Sequence, residues 1–288
     1  MKTLLLLLLT LTLSATELKL EILGSGGPEI DGRASASYIL WIDNKAKALI
    51  DTGSGSMLRF EESGARLEDL EAILLTHLHI DHAVDLPSFI KAGYFSRRSA
   101  LLPIVGPKGN ASFPSISEYL EILFGSKGAY RYMQDVLTQQ SDSFQIKATV
   151  VDAPQIQHLQ FKSFSVDVIN VYHGIVPALA FRINIGQKSV LISGDTSDSK
   201  GGLDKLADKV DLFIAHHAID EEANPYAARL HMTPTIIGEV AQKAKAKELV
   251  LAHRMRRTIG KEKQSLKLIQ KSYTGKIVFA EDHMIINF

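Results

Sequence analysis

The residues Thr76-His77-Leu78-His79-Ile80-Asp81-His82 place three imidazoles and a carboxylate within six positions, directly after the apolar run Ala72-Ile73-Leu74-Leu75. Such a density of metal-ligand side chains constrains the fold to one that can bury cations and bring further donors to them. If the strand begun at Ala72 continues to His79, the side-chain period of two puts His77 and His79 on one face. A turn after Ile80 then swings Asp81 and His82 to a neighbouring point. Two imidazoles hold one metal, with a carboxylate and an imidazole beside it for a second.

The chain contains no cysteine, so its donors are nitrogen and oxygen and no disulfide staples the fold. That set suits zinc, with manganese or iron as alternatives. More donors stand at the tips of apolar segments further along. His173 closes a strand expected over 164–172, Asp195 follows Val190-Leu191-Ile192-Ser193-Gly194, and His253 follows Leu249-Val250-Leu251-Ala252. Polar residues delivered by the ends of rigid strands are where function usually sits.

Hydrophobic alternation marks a first strand over 18–23, which ends in the turn-forming Gly24-Ser25-Gly26-Gly27-Pro28. A phosphate-binding loop there is disfavoured, because no lysine follows and no helix opens. Residues 37–41 and 46–50 read as a hairpin around Asp43-Asn44-Lys45, running into Asp51-Thr52-Gly53. Asp51 either caps that loop or touches the metal region. Short helical pieces are expected over 57–64 and 67–70, a helix over 83–92 and a buried strand over 101–105.

Two helical patterns fill 113–138, rich in Tyr119, Phe124, Tyr130, Tyr132 and Met133; they form a packed subdomain or wall a groove. Strands follow over 144–151, 157–161, 164–172, 178–185 and 189–192. Helices over 203–208, 234–245 and 261–271 then alternate with strands over 212–215, 249–252 and 276–280. Two sheets, each covered by helices, make a four-layer α+β domain.

The N-terminus reads differently. Lys2, a leucine-threonine run over 3–13 and the pair Ser14-Ala15 have the layout of a secretory signal peptide. The expected organisation is therefore a signal peptide over 1–15 and one domain over 16–288, exported to the periplasm or the medium. The apolar run falls short of the roughly 20 residues that span a bilayer, so no permanent membrane anchor is expected.

Taken together, these motifs resemble the metallo-β-lactamase-fold hydrolase superfamily, in the branch of ribonuclease Z and the arylsulfatase-like phosphodiesterases. The resemblance covers nearly all of the mature chain: the glycine loop with Arg33, Asp51-Thr52-Gly53, the histidine cluster, His173, Ser193-Gly194-Asp195-Thr196 and His253. It implies an αβ/βα sandwich holding two divalent ions, one on His77, His79 and His173, the other on Asp81, His82 and His253, with Asp195 bridging. It implies also that Asp81 orients or deprotonates the nucleophile. His231, in a His-x-Thr segment, would help substrate or transition state. His216-His217 falls where ribonuclease Z has a His-Glu pair, so His217 departs from that pattern. Arg254 and Arg257 beside His253 either clamp an anion or form a solvated face. His158 and His283 are read as ordinary packing or surface residues.

The function expected on these grounds is hydrolysis of a small anionic ester, lactone or amide by water activated between two metals, whose pKa falls from 15.7 to about 7 on coordination. Nucleic acid is not an expected partner. Lysine plus arginine and aspartate plus glutamate both total 32, and no glycine-rich basic arm is present. A ribonuclease Z-like endonuclease, a β-lactamase and a non-catalytic metal-binding module are the alternatives.

Overall fold

A computed structural model describes residues 16–138 and 144–288; the expected signal peptide over 1–15 lies outside the described residues. Two seven-stranded sheets face each other. The first runs in the order Ile285–Asn287, Leu18–Gly24, Ser37–Ile42, Lys45–Ile50, Ala72–Leu74, Leu102–Pro107, Ile146–Val151. The second runs Lys276–Phe279, Glu248–Ala252, Leu212–His216, Lys188–Ile192, Val176–Ile185, Ser165–His173, Gln157–Gln160.

The strands are apolar on both faces because both faces are covered. Leu20, Ile22, Tyr38, Leu40 and Ile50 meet Phe181, Ile183, Val190, Ile192 and Ile214 in a core between the sheets. Their alternates, Leu23, Ile39 and Leu49, turn outward onto Phe60, Phe89, Leu120 and Phe124. On the opposite side, Leu191, Phe213 and Leu251 pack on Leu203, Ile237, Val240 and Ile269 of the outer helices. Helix, sheet, sheet, helix is thus the expected four-layer sandwich. Among the described residues, no helix is long and apolar enough to cross a membrane.

The hairpin turns where expected, with Asp43 and Asn44 at φ 49° and 59° as a tight two-residue turn demands. The 113–138 region is helical at Ile116–Phe124, Arg131–Met133 and Asp135–Thr138. Ser115 and Glu118 cap the first helix reciprocally, and Ile116, Leu120 and Phe124 bury it against the outer face of the first sheet. Phe124 and Tyr119 pack into that core while Tyr130 and Tyr132 are exposed, and Phe113 just ahead of the helix lies beside His79. Sequence periodicity missed the strand Ile285–Asn287, which pairs antiparallel with Leu18–Gly24, and the short helix Pro225–Ala228. Both are too short to show a period.

The strand before the histidine cluster is shorter than expected and spans only Ala72–Leu74. Its hydrogen bonding is diverted. The Leu75 N–H still donates to Val105 O at 2.8 Å, but the Thr76 N–H donates to the Asp51 carboxylate at 2.7 Å and Thr76 O accepts from Leu179 of the opposite sheet at 2.8 Å. His77 and His79 therefore meet in a loop, with ring centroids 4.6 Å apart, and not by strand alternation.

Candidate metal centre

The second sheet is parallel from Lys188–Ile192 through Lys276–Phe279, and the first from Lys45–Ile50 through Ile146–Val151. Parallel strands share one carboxyl edge, and donors that follow successive strands gather there. Asp51 follows Ile50, the histidine cluster follows Leu74, Asp195 follows Ile192, His216 ends its strand, and His253 follows Ala252. His173 ends an antiparallel strand at the same edge.

Two loops close the base of the site. A Cβ on Gly53 would lie 2.3 Å from Asp81 O and 2.9 Å from Ala36 O, so only glycine lets the Asp51 loop meet the short helix Ile80–Ala83 that carries Asp81 and His82. Asp51 is fully buried with φ 56°; its carboxylate accepts from Thr76 N at 2.7 Å, Thr76 Oγ1 at 2.8 Å and His82 Nδ1 at 2.8 Å. Pairing of Nδ1 with Asp51 turns His82 Nε2 toward the centre as the nitrogen that would take a cation in place of a proton, the role of a partner that orients a ligand. His173 is fixed the same way, its Nδ1 donating to Leu230 O at 2.8 Å.

The free nitrogens converge on Asp195. His77 Nε2, His82 Nε2 and His173 Nε2 are buried without a hydrogen-bond partner. They stand 4.0, 3.8 and 3.8 Å from Asp195 Oδ2, too far for a hydrogen bond. A cation between each nitrogen and the carboxylate accounts for that spacing, since Zn–N and Zn–O bonds are each about 2 Å. Two overlapping donor groups result, His77, His79, His173 and Asp195, and His82, Asp195, His216 and His253. Asp81 adds a carboxylate to the second, with Oδ2 3.1 Å from His253 Nε2 and 3.6 Å from His82 Nε2. The donor set fits two divalent ions.

His216 stands within reach of the second group, but both its ring nitrogens are engaged. Nδ1 donates to Asp195 Oδ1 at 2.8 Å, and Nε2 accepts from Tyr38 OH at 2.9 Å. Burial, with Asp51 and Asp195 adding, pushes the Tyr38 phenol well above its ordinary 10 and keeps it a donor. Tyr38 went unrecognised in the sequence because on an alternating strand it is indistinguishable from core.

The charges are strongly coupled. Burial pulls His82 down, but Asp51 and Asp81 outweigh it and raise the imidazole to about 9. Burial alone would raise Asp81, yet His82 and His253 bring it down to about 2. His231 Nδ1 lies 3.7 Å from Asp195 Oδ2 with no hydrogen-bond partner, and burial holds this histidine down to about 3, neutral at pH 7.

His217 faces the other way, onto the outer helices, its Nε2 3.1 Å from Ser265 Oγ and its ring 6.2 Å from Phe279. Burial first, then Arg254, lowers it from 6.5 to about 4. Below pH 6.5 the unfolded chain takes up a proton that the folded chain refuses until about pH 4, so this stabilisation is complete above 6.5 and drains away as pH falls. Urea denaturation from pH 7 to pH 4 should show the gap between wild type and His217→Gln shrinking by about 3 kcal/mol. A gap that stays constant with pH would refute it. Arg254 is committed to Glu262 and Glu281 and covers the Phe279 ring, while Arg257 donates to Met255 Sδ at 3.2 Å. His158 pairs with Asp167 and His283 with Glu62, away from the cluster.

Fold and site together define a metal-dependent hydrolase. The profile of the Metallo-beta-lactamase superfamily matches residues 30–224, and the chain belongs to that superfamily. A ribonuclease Z of Exiguobacterium sibiricum is 26% identical over 278 residues, covering 84% of this chain and 90% of that protein. The metallo-beta-lactamase fold protein YhfI from Bacillus subtilis superposes with a TM-score of 0.74 at 20% identity, over 94% of this chain and all of that one. The short form of human tRNase Z gives 0.69 at 22% identity, over 93% and 98%.

These relatives overturn the expectation that nucleic acid is not a partner of this chain, since the curated proteins it resembles are ribonucleases. That expectation used net charge, which averages over the whole surface, whereas phosphate contacts depend on charge within a Debye length of the site.

Proposed function

We propose that the chain is a zinc-dependent phosphodiesterase that cleaves RNA. The observation that carries the reading is the convergence of unpartnered, buried imidazole nitrogens on Asp195 at 3.8–4.0 Å. Its kinship with ribonuclease Z chooses phosphodiester chemistry among the reactions this fold supports. His77, His79 and His173 would hold one ion, Asp81, His82 and His253 the other, with Asp195 shared. When bound, such a pair of ions lowers the pKa of water and neutralises charge developing on the phosphoryl oxygens.

The chain's own groups do the rest. Asp81 is ionised, slightly open to solvent and placed to accept a hydrogen bond from an incoming water, aligning its lone pair on phosphorus. His231, neutral and with Nδ1 unpartnered 3.7 Å from Asp195 Oδ2, suits a hydrogen bond to a phosphate oxygen at the centre. The Tyr38–His216 chain holds Asp195 in one orientation.

The test incubates the zinc-loaded protein with end-labelled single-stranded and structured RNA at low salt, where phosphate attraction is greatest. Parallel reactions use an aryl phosphodiester, an aryl sulfate, a lactone and a β-lactam. The expected result is RNA cleavage that stops on chelation and returns with zinc. Intact RNA beside rapid hydrolysis of the lactone, sulfate or β-lactam would reject the reading.

A further inference from the structure

Beside His79 lies a cavity of about 350 Å³ whose walls include Phe113, Tyr172, Tyr226 and Arg229 and, among the described residues, no acidic side chain. It adjoins the donor cluster. His79 belongs to both, its ring centroid is 6.0 Å from that of Phe113, and Leu230 on the cavity wall fixes His173 through a 2.8 Å hydrogen bond. A polymer reacting at the cluster has this cavity as an immediate neighbour.

The wall chemistry is selective. Tyr226 is 68% exposed, on a short helix whose buried residue is Ala227, so its ring contributes little to the core. The Arg229 guanidinium stands 5.9 Å from the Tyr226 ring, so the cation on this wall faces an aromatic ring. The cavity lined by Arg33, Arg254 and Arg256 differs, since there Asp31, Glu262 and Glu281 neutralise the charge.

We propose that the cavity beside His79 is the subsite for one unpaired nucleotide of the substrate RNA, its base against Phe113 and Tyr226 and its phosphate drawn by Arg229. The proposal rests on the RNA reading above and names the strand it takes. Aromatic faces accept any unstacked base, and arginine matches phosphate with its planar fork. The volume lies near the lower end of the roughly 300–1,000 Å³ of small-ligand sites, room for one nucleotide and not for a base pair. RNA must therefore be single-stranded where it enters.

Equilibrium binding to the full-length protein, both chelator-treated and zinc-loaded, tests this with adenosine 5′-monophosphate, ribose 5-phosphate and a short single-stranded oligoadenylate. The monophosphate should bind roughly tenfold or more tightly than ribose 5-phosphate. Tyr226→Ala and Phe113→Ala should each weaken the monophosphate and the oligoadenylate by roughly 5- to 150-fold. Tyr226→Phe should retain binding, and Arg229→Gln should weaken both phosphates. Equal affinity with and without the base, or no effect of either alanine variant, would overturn the subsite even in an enzyme that cleaves RNA. Ring-dependent binding without RNA cleavage would instead keep the subsite and remove the ribonuclease reading.

Discussion

Replacing Asp195 by asparagine should lower the metal content from about two ions per chain to one or fewer and slow the proposed RNA hydrolysis by roughly 10³-fold. The carboxylate faces six imidazoles: His77, His82, His173, His216, His231 and His253 all place a ring nitrogen within 4.0 Å of its oxygens. An amide keeps the shape and loses the negative charge that offsets two cations. It also gives His216 Nδ1 an acceptor at only one of two possible amide orientations, which loosens the Tyr38–His216 support. Elemental analysis and initial rates measure the two effects. A variant that keeps both ions and its rate would remove Asp195 from the centre.

Asp51→Ala should destabilise the fold by about 3–5 kcal/mol and weaken metal affinity by roughly 10- to 100-fold. Three donors lose their acceptor at once, Thr76 N, Thr76 Oγ1 and His82 Nδ1, all within buried residues. The Thr76 N–H is also what ends the strand Ala72–Leu74, so its release frees the loop that sets His77 against His79. Urea unfolding gives the stability change, and zinc titration against a competing chelator gives the affinity. Asp51→Asn separates the two, since an amide oxygen can still accept from Thr76 while the charge opposite His82 is lost. Near-wild-type zinc affinity in the alanine variant would show that His82 needs no such partner.

Much of the architecture was legible because burial on both faces leaves a strong local signal. The run Val190-Leu191-Ile192 is continuously apolar since Val190 and Ile192 face the inter-sheet core and Leu191 faces the outer helices. The hairpin at Asp43-Asn44 was legible through its turn residues. The three-residue strand Ile285–Asn287 was not, because nothing local distinguishes so short a segment from loop; its pairing with Leu18–Gly24 is wholly long-range. Tyr38 and Leu230 were invisible as site residues for a related reason. One hides as core on an alternating strand, and the other acts through its backbone carbonyl, which every residue possesses.

The sequence by itself determined the donor types, their order along the chain and the superfamily. Ligand chemistry resides in side-chain identity, and a cluster such as His77, His79, Asp81 and His82 is local in sequence. Only the tertiary structure decided how those donors meet. His77 and His79 come together because Asp51 and Leu179 take the backbone groups of Thr76 and end the strand, not because side chains alternate. His217 turns outward to Ser265 while its neighbour His216 grips Asp195, a choice made by the strand's phase between two packed layers. The cavity beside His79 is assembled from Phe113, Tyr172, Tyr226 and Arg229, whose convergence depends on contacts that no local pattern encodes.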